Sequence, residues 1–171
     1  MFKKNSKYDI ISIQKQSKKV EEEIMKILLA SDHGGLELKD YIKGYVEKKG
    51  YEVLDIGTNS SDSVDYSDFG GEAGKRIIAG DADCGIIFCG SGIGISIAAN
   101  KVKGIRAALC HDSYTAKMAK MHNNANILAM GGRIIGKGLA EEMVDIYLET
   151  EYEGGRHQLR LDKITKIEEG E

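Results

Sequence analysis

Two residue types are missing altogether: the chain has no proline and no tryptophan, and neither absence bears on what it does. Cysteine is scarce. Cys84, Cys89 and Cys110 are odd in number and lack metal-ligand spacing. That argues against a disulfide framework and for reduced thiols, as expected of a cytoplasmic protein. Long apolar runs are also missing. None approaches the roughly 20 residues that cross a bilayer. The first 24 residues hold neither the compact apolar block nor the small-residue cleavage site of a secretory leader. No sign of charge dominates: the net charge is −3 at pH 7, which gives no general attraction to nucleic acid or to an anionic membrane. Neither is expected as a partner. Affinity for an anionic ligand must come from a local cluster of positive groups.

What remains is ordinary globular composition, 42% hydrophobic and 30% charged over 171 residues, which suits one α/β domain. Residues 1–24 are rich in Lys and Glu and only weakly periodic, and read as an N-terminal extension. A single domain is expected over 25–171. Short apolar runs recur at 26–31, 52–56, 85–89, 105–110 and 126–130. Between them, helical periodicity is expected over roughly 35–49, 66–79, 92–102, 113–122 and 136–149. Leu38, Tyr41, Ile42 and Tyr45, for example, share one helical face. Buried strands alternating with amphipathic helices predict a mostly parallel, five-stranded sheet between helical layers, a Rossmann-like α/β/α sandwich. The glycines of Tyr152-Glu-Gly-Gly-Arg-His157 read as a turn. A last helix over about 157–168 would pack on a partner subunit or on its own domain.

In open α/β sheets, ligands bind at the carboxyl ends of the strands, so the residues after each run matter most. The first run leads into Asp32-His33-Gly34-Gly35, and the third into Cys89-Gly90-Ser91-Gly92-Ile93-Gly94. The fourth leads into Cys110-His111-Asp112 and the fifth into Gly131-Gly132-Arg133. Alternate glycines let the amides of Gly90, Gly92 and Gly94 turn toward one point, which suits a phosphate or oxyanion. A bare strand-to-helix turn would use the same glycines. The loop is neither a dinucleotide fingerprint nor a Walker loop, because the spacing and the Lys are wrong.

Cys89, beside those amides, has a route to thiolate character; a small buried hydrophobe would fit the position too. Asp32 and His33 would point apart and could serve two ligand groups, or do turn chemistry. His122 has a sufficient structural reason at a helix C-terminus. Only five residues are arginine against 19 lysines. Arg133, Arg156 and Arg160 fall in glycine-flanked or terminal segments, and arginine offers a planar fork to phosphate oxygens. An ordinary charged face is the alternative. The residues alone give a small-anion site with Cys, Asp and His available for proton transfer, and do not choose the reaction.

From Met25 to Glu169 the chain resembles the ribose-5-phosphate isomerase B family and its relatives, the galactose-6-phosphate isomerase subunits. The stretches that carry the resemblance are Ser31-Asp-His-Gly-Gly35, Asp65-Tyr66, Cys89 through Asn100, Gly104-Ile-Arg-Ala107, His122-Asn123, Gly131-Gly-Arg133 and Tyr152 through Arg160. The resemblance implies an aldose–ketose isomerase that works through a cis-enediolate without metal or cofactor. Cys89 would be the base, with the Gly90, Gly92, Ile93 and Gly94 amides as oxyanion hole. His122 would open the sugar ring with Ser91 nearby, and Asp32 would handle hydroxyl protons. Asn123 and Tyr66 would hold the sugar. Arg133, Arg156, Arg160 and His33 would meet the phosphate.

The resemblance further implies a homodimer, or a dimer of dimers, with active sites shared between subunits. Residues 152–171 would then serve as the dimerisation segment. The expected partner is a small phosphorylated sugar. Ribose 5-phosphate leads; a hexose 6-phosphate (allose or galactose) and non-catalytic sensing of a sugar phosphate are the alternatives.

Overall fold

The computed structural model describes residues 24–171, so the proposed extension, apart from Ile24, lies outside the described residues. Five strands alternate with helices: β1 (Lys26–Ser31), α1 (Leu36–Lys48), β2 (Glu52–Asp55), α2 (Tyr66–Ala79), β3 (Cys84–Cys89), α3 (Ile93–Ala99), β4 (Ala107–Leu109), α4 (Ser113–Asn123), β5 (Ile127–Gly131), α5 (Lys137–Glu149) and α6 (Arg156–Glu169). The strand order is β2-β1-β3-β5-β4, and every pairing is parallel. The sheet is therefore wholly, not mostly, parallel.

Strand alternation divides the core in two. Ile27, Leu29, Ile86, Phe88, Leu128 and Met130 face α1, α4 and α5 through Leu38, Ile42, Val46, Ala116, Met143, Val144 and Tyr147. Leu28, Ala30, Ile87, Cys89, Ile127 and Ala129 face α2 and α3 through Ala73, Ile95 and Ala99. A side-chain period of two cannot leave either face of such strands to water, so both must be covered. In α1 the buried stripe is Leu38, Ile42 and Val46. Tyr41 and Tyr45 lie at its rim, where their hydroxyls donate to Glu141 and Asp145 of α5.

Two expected boundaries shift. The helix expected over 92–102 is the shorter α3, and the run at 105–110 yields only three residues of strand. The Arg106 amide donates to Asn126 Oδ1 rather than to a strand. The Asn100 side chain pairs with both the N–H and the C=O of Ala107, on the open edge of β4, and so occupies main-chain groups an edge strand would otherwise present.

Chain direction matters for function. All strands run the same way, so β1, β3 and β5 deliver Asp32, Gly90 and Gly132 to one edge of the sheet. Helix α4 runs back, and the end that carries His122 and Asn123 lies at the opposite edge, where β5 begins. The length of β5 separates the two, about 16 Å at roughly 3.3 Å per residue.

Candidate active site

The sheet reverses its winding between β1 and β3, the place where open α/β sheets form a crevice. The cleft found there has a volume of about 340 Å³ and is lined by Asp32, Tyr66, Cys89, Gly90, Ser91, Gly94, Arg133 and Ile134. Seven of these eight were expected from sequence as catalytic or binding side chains or loop glycines, and Ile134 was not foreseen.

Glycine makes the cleft possible at two points. Gly92 sits at φ 78°, and a Cβ there would stand 2.6 Å from Leu109 and 2.8 Å from the Met130 carbonyl carbon. At Gly94 a Cβ would enter the Tyr66 ring at 2.6 Å. Tyr66, the first residue of α2, thus lies flat against the loop, with its ring half exposed to the cleft.

Cys89 is almost fully buried, and its Sγ accepts a hydrogen bond from the Gly92 amide at 3.1 Å. A donor is therefore in place for the charge the sulfur would carry as a base. The Ile93 amide is turned toward Ser91 Oγ at 3.3 Å, so it is not free for a ligand as expected. The amides of Gly90, Ser91 and Gly94 take no protein acceptor among the described residues. Cys84 and Cys110 are buried too; burial pushes the Cys84 thiol up to about 12.

Asp32 does the turn chemistry weighed for it and also faces the cleft. Its Oδ1 accepts from the amides of Gly34 and Gly35 at 2.8 and 3.0 Å, which builds the turn, while the residue also lines the cleft. Its neighbour His33 points elsewhere. His33 Nδ1 accepts from the Val64 amide at 3.2 Å, so the ring's proton sits on Nε2 and can donate to an anion. The guanidinium of Arg133 lies over Gly90 and forms no ion pair among the described residues, unlike Arg76.

The loop that brings Val64 and Tyr66 to the cleft is anchored from below. The Lys39 side chain is wholly buried and donates to Asp55 at 2.8 and 3.0 Å. Lys43 adds a further bond, and the Gly57 amide donates to the same carboxylate. Burial pushes the Asp55 carboxyl up, but Lys39, the Gly57 amide and Lys43 outweigh it and hold the group below its usual range. Burial likewise works against the Lys39 ammonium, yet Asp55 and Asp40 leave it raised.

The other four expected residues gather at the opposite edge. His122 stacks on His157, ring centroids 4.2 Å apart and planes 7° from parallel. Glu153 Oε2 lies 3.6 Å from His122 Nε2 and 3.2 Å from His157 Nε2. Arg156 and Arg160 are exposed on the first turns of α6. Arg106 holds the end of α4, its guanidinium donating to the Asn123 and Asn124 carbonyls at 2.9 to 3.1 Å. Tyr147 donates to the Ala125 carbonyl from the core.

The expectation that His122 stands near Ser91 is therefore not met within one chain. Glu153 and His157 were visible in the Tyr152–Arg160 stretch, but only the fold places them against His122. Helix α6 packs on its own chain through Leu161 and leaves an apolar groove of about 620 Å³ beside Ile105 and Ala108. No helix among the described residues is long and apolar enough to cross a membrane.

Comparison with known proteins agrees with the geometry. The family model described as Ribose/Galactose Isomerase matches residues 27–164. The ribose-5-phosphate isomerase B of Escherichia coli (strain K12) is 45% identical over 144 residues, 84% of this chain and 97% of that protein. The structure of Clostridium thermocellum ribose-5-phosphate isomerase B is 53% identical, with a TM-score of 0.84 over 85% of this chain and 99% of that one. That of Mycoplasma genitalium ribose-5-phosphate isomerase B, with bound ribulose-5-phosphate, is 41% identical, with a TM-score of 0.80 over 85% and 97%.

Proposed function

The chain belongs to the ribose/galactose isomerase family, and from that premise we propose that it interconverts ribose 5-phosphate and ribulose 5-phosphate, with Cys89 as the base. The observation that carries the proposal is the convergence of the Cys89 thiol, the Asp32 carboxylate, the Ser91 hydroxyl and the Arg133 guanidinium in one cleft. The ribulose-5-phosphate bound to the Mycoplasma genitalium relative supports the choice of substrate.

The steps need only proton transfer. In the open-chain aldose, the Cys89 thiolate takes the proton from C2. Electrons shift to the aldehyde oxygen and give a cis-enediolate, whose negative oxygen faces the free amides of Gly90, Ser91 and Gly94. Cys89 returns the proton at C1, and Asp32 carries the hydroxyl proton from O2 to O1. Aldose becomes ketose with no atom gained or lost. The Gly92 amide holds the sulfur in place throughout.

Ring opening and phosphate binding require the second set of residues. His122 as acid, Asn123 on the sugar, and Arg156 and Arg160 on the phosphate lie at the edge of the sheet away from Cys89. We therefore assign them to a partner copy's cleft, with the sites shared across a homodimer. Arg133 and His33 would meet the phosphate from the cleft side. Residues 25–171 form the catalytic domain in this reading, and 1–24 are an addition to it.

A hexose 6-phosphate is the second reading, because the family description covers galactose as well as ribose. One more carbon changes pocket length, not chemistry. The test is turnover of ribose 5-phosphate beside allose and galactose 6-phosphates, with Cys89→Ala as control. Cys89-dependent turnover favouring the pentose is expected. Preference for a hexose would change the substrate and keep the mechanism. Sugar-phosphate binding without turnover would leave a sensor.

A further inference from the structure

We propose that His122, Glu153 and His157 form a binding site for a transition-metal dication of the Zn²⁺ class, and that its occupancy inhibits the enzyme by withdrawing His122 from proton transfer. The inhibitory consequence rests on the isomerase reading above; the binding site does not.

The geometry points to a cation. The ligand atoms of the three residues lie within 4.8 Å of one another. Both imidazoles turn Nε2 toward the same carboxylate oxygen. At His157, Arg156 Nε donates to Nε2 at 3.4 Å, so that nitrogen bears a lone pair, as a ligand requires. Three potential ligand atoms thus converge on one point of the surface.

Two imidazoles and one carboxylate form a donor set typical of Zn²⁺ and its transition-metal neighbours, and a poor one for Mg²⁺ or Ca²⁺. Nearly parallel rings cannot direct both lone pairs at one ion in a tetrahedral arrangement, so one ring must tilt. His122 can do so, with about a third of its side chain exposed (34%). His157, at 9%, is the fixed ligand. Arg156 is exposed and must swing aside. With Arg160 it sets a positive field that weakens binding, so the ion would be regulatory and exchangeable.

The test uses the full chain and Co²⁺, first without substrate. One Co²⁺ per chain is expected, with visible ligand-field bands and no sulfur-to-metal charge transfer. Glu153→Gln should weaken binding on the order of 100-fold, the upper end of the loss caused by an outer-shell partner alone. His157→Gln should do the same, and Cys89→Ala should not. Glu153 is exposed, so its variant answers the question even if the buried His157→Gln fails to fold. Zn²⁺ should inhibit isomerisation, and the inhibition constant should rise by the same factor in Glu153→Gln; Mg²⁺ should do nothing. Intact Co²⁺ affinity in Glu153→Gln, or sulfur charge-transfer bands lost in Cys89→Ala, would overturn the site. Absence of any turnover would count against the isomerase reading and leave the Co²⁺ result to decide the site.

Discussion

At one edge of the sheet, glycine brings three loops into contact. A Cβ on Gly34 would stand 2.9 Å from the Gly90 nitrogen, and one on Gly132 would stand 2.7 Å from the Gly34 oxygen. At the other edge, side chains clamp the backbone: Arg106 on Asn123 and Asn124, Tyr147 on Ala125. The first edge encloses a cleft with a thiol and free amides. The second exposes an imidazole, two arginines and an apolar groove along α6. In the proposed mechanism the cleft supplies the base and the exposed edge supplies the ring-opening acid.

The contrast sharpens if substitutions at the two edges fail in different ways. The largest expected effect is at the cleft. Cys89→Ala should lower kcat by about 10³-fold, within the range of a lost general base, while phosphate binding measured by calorimetry stays nearly intact. Turnover at the parental rate would remove Cys89 from the mechanism.

Next is the anchor beneath the cleft. Lys39→Met leaves the Asp55 carboxylate with only Lys43 and the Gly57 amide and should cost about 3 kcal/mol in urea unfolding, the low end for a broken buried pair. The pair also predicts a pH dependence. Because the folded Asp55 group titrates below its usual range, its contribution is complete above the ordinary carboxylate value. It is lost as pH falls through the lower folded value. Asp55→Asn should therefore be less stable than the parent at neutral pH and converge on it in acid. A gap that persists in acid would contradict the assigned pairing.

At the far edge, Arg106→Ala should cost about 2 kcal/mol of stability, typical of charge-assisted hydrogen bonds. It should slow turnover of cyclic substrate more than of an open-chain analogue, because it loosens the helix end that carries His122. Equal losses on both substrates would separate Arg106 from ring opening. The smallest effect belongs to Arg156→Ala, which should raise KM about tenfold with little change in kcat, as expected for uniform phosphate binding. A fall confined to kcat would argue against a phosphate contact.

The cleft was legible in the sequence because its determinants are local. The Cys89–Gly94 run states its own geometry, and the apolar runs show which ends of the strands it joins. The far edge was less legible. His122 and Ser91 both belong to the motif set, yet motif order does not say that α4 returns His122 to the other end of the sheet. The stack of His122 on His157 spans 35 positions and depends on where α6 lands. Lys39 sits in an amphipathic helix where lysine normally reads as solvated, and only the carboxylate of β2 explains its burial. Ile93 was expected to offer its amide, but the Ser91 side chain two residues away takes it. Such short-range competition between side chain and backbone is not encoded in glycine spacing.

The most direct test of the shared site is complementation. Cys89→Ala and His122→Asn variants should each be nearly inactive alone. Co-refolded in equal amounts, they should recover about a quarter of parental activity, since half the dimers are mixed and each mixed dimer carries one intact site of two. Recovery near that level would place Cys89 and His122 of different copies in one active site. No recovery, with mixed dimers demonstrated by mass, would contradict the account.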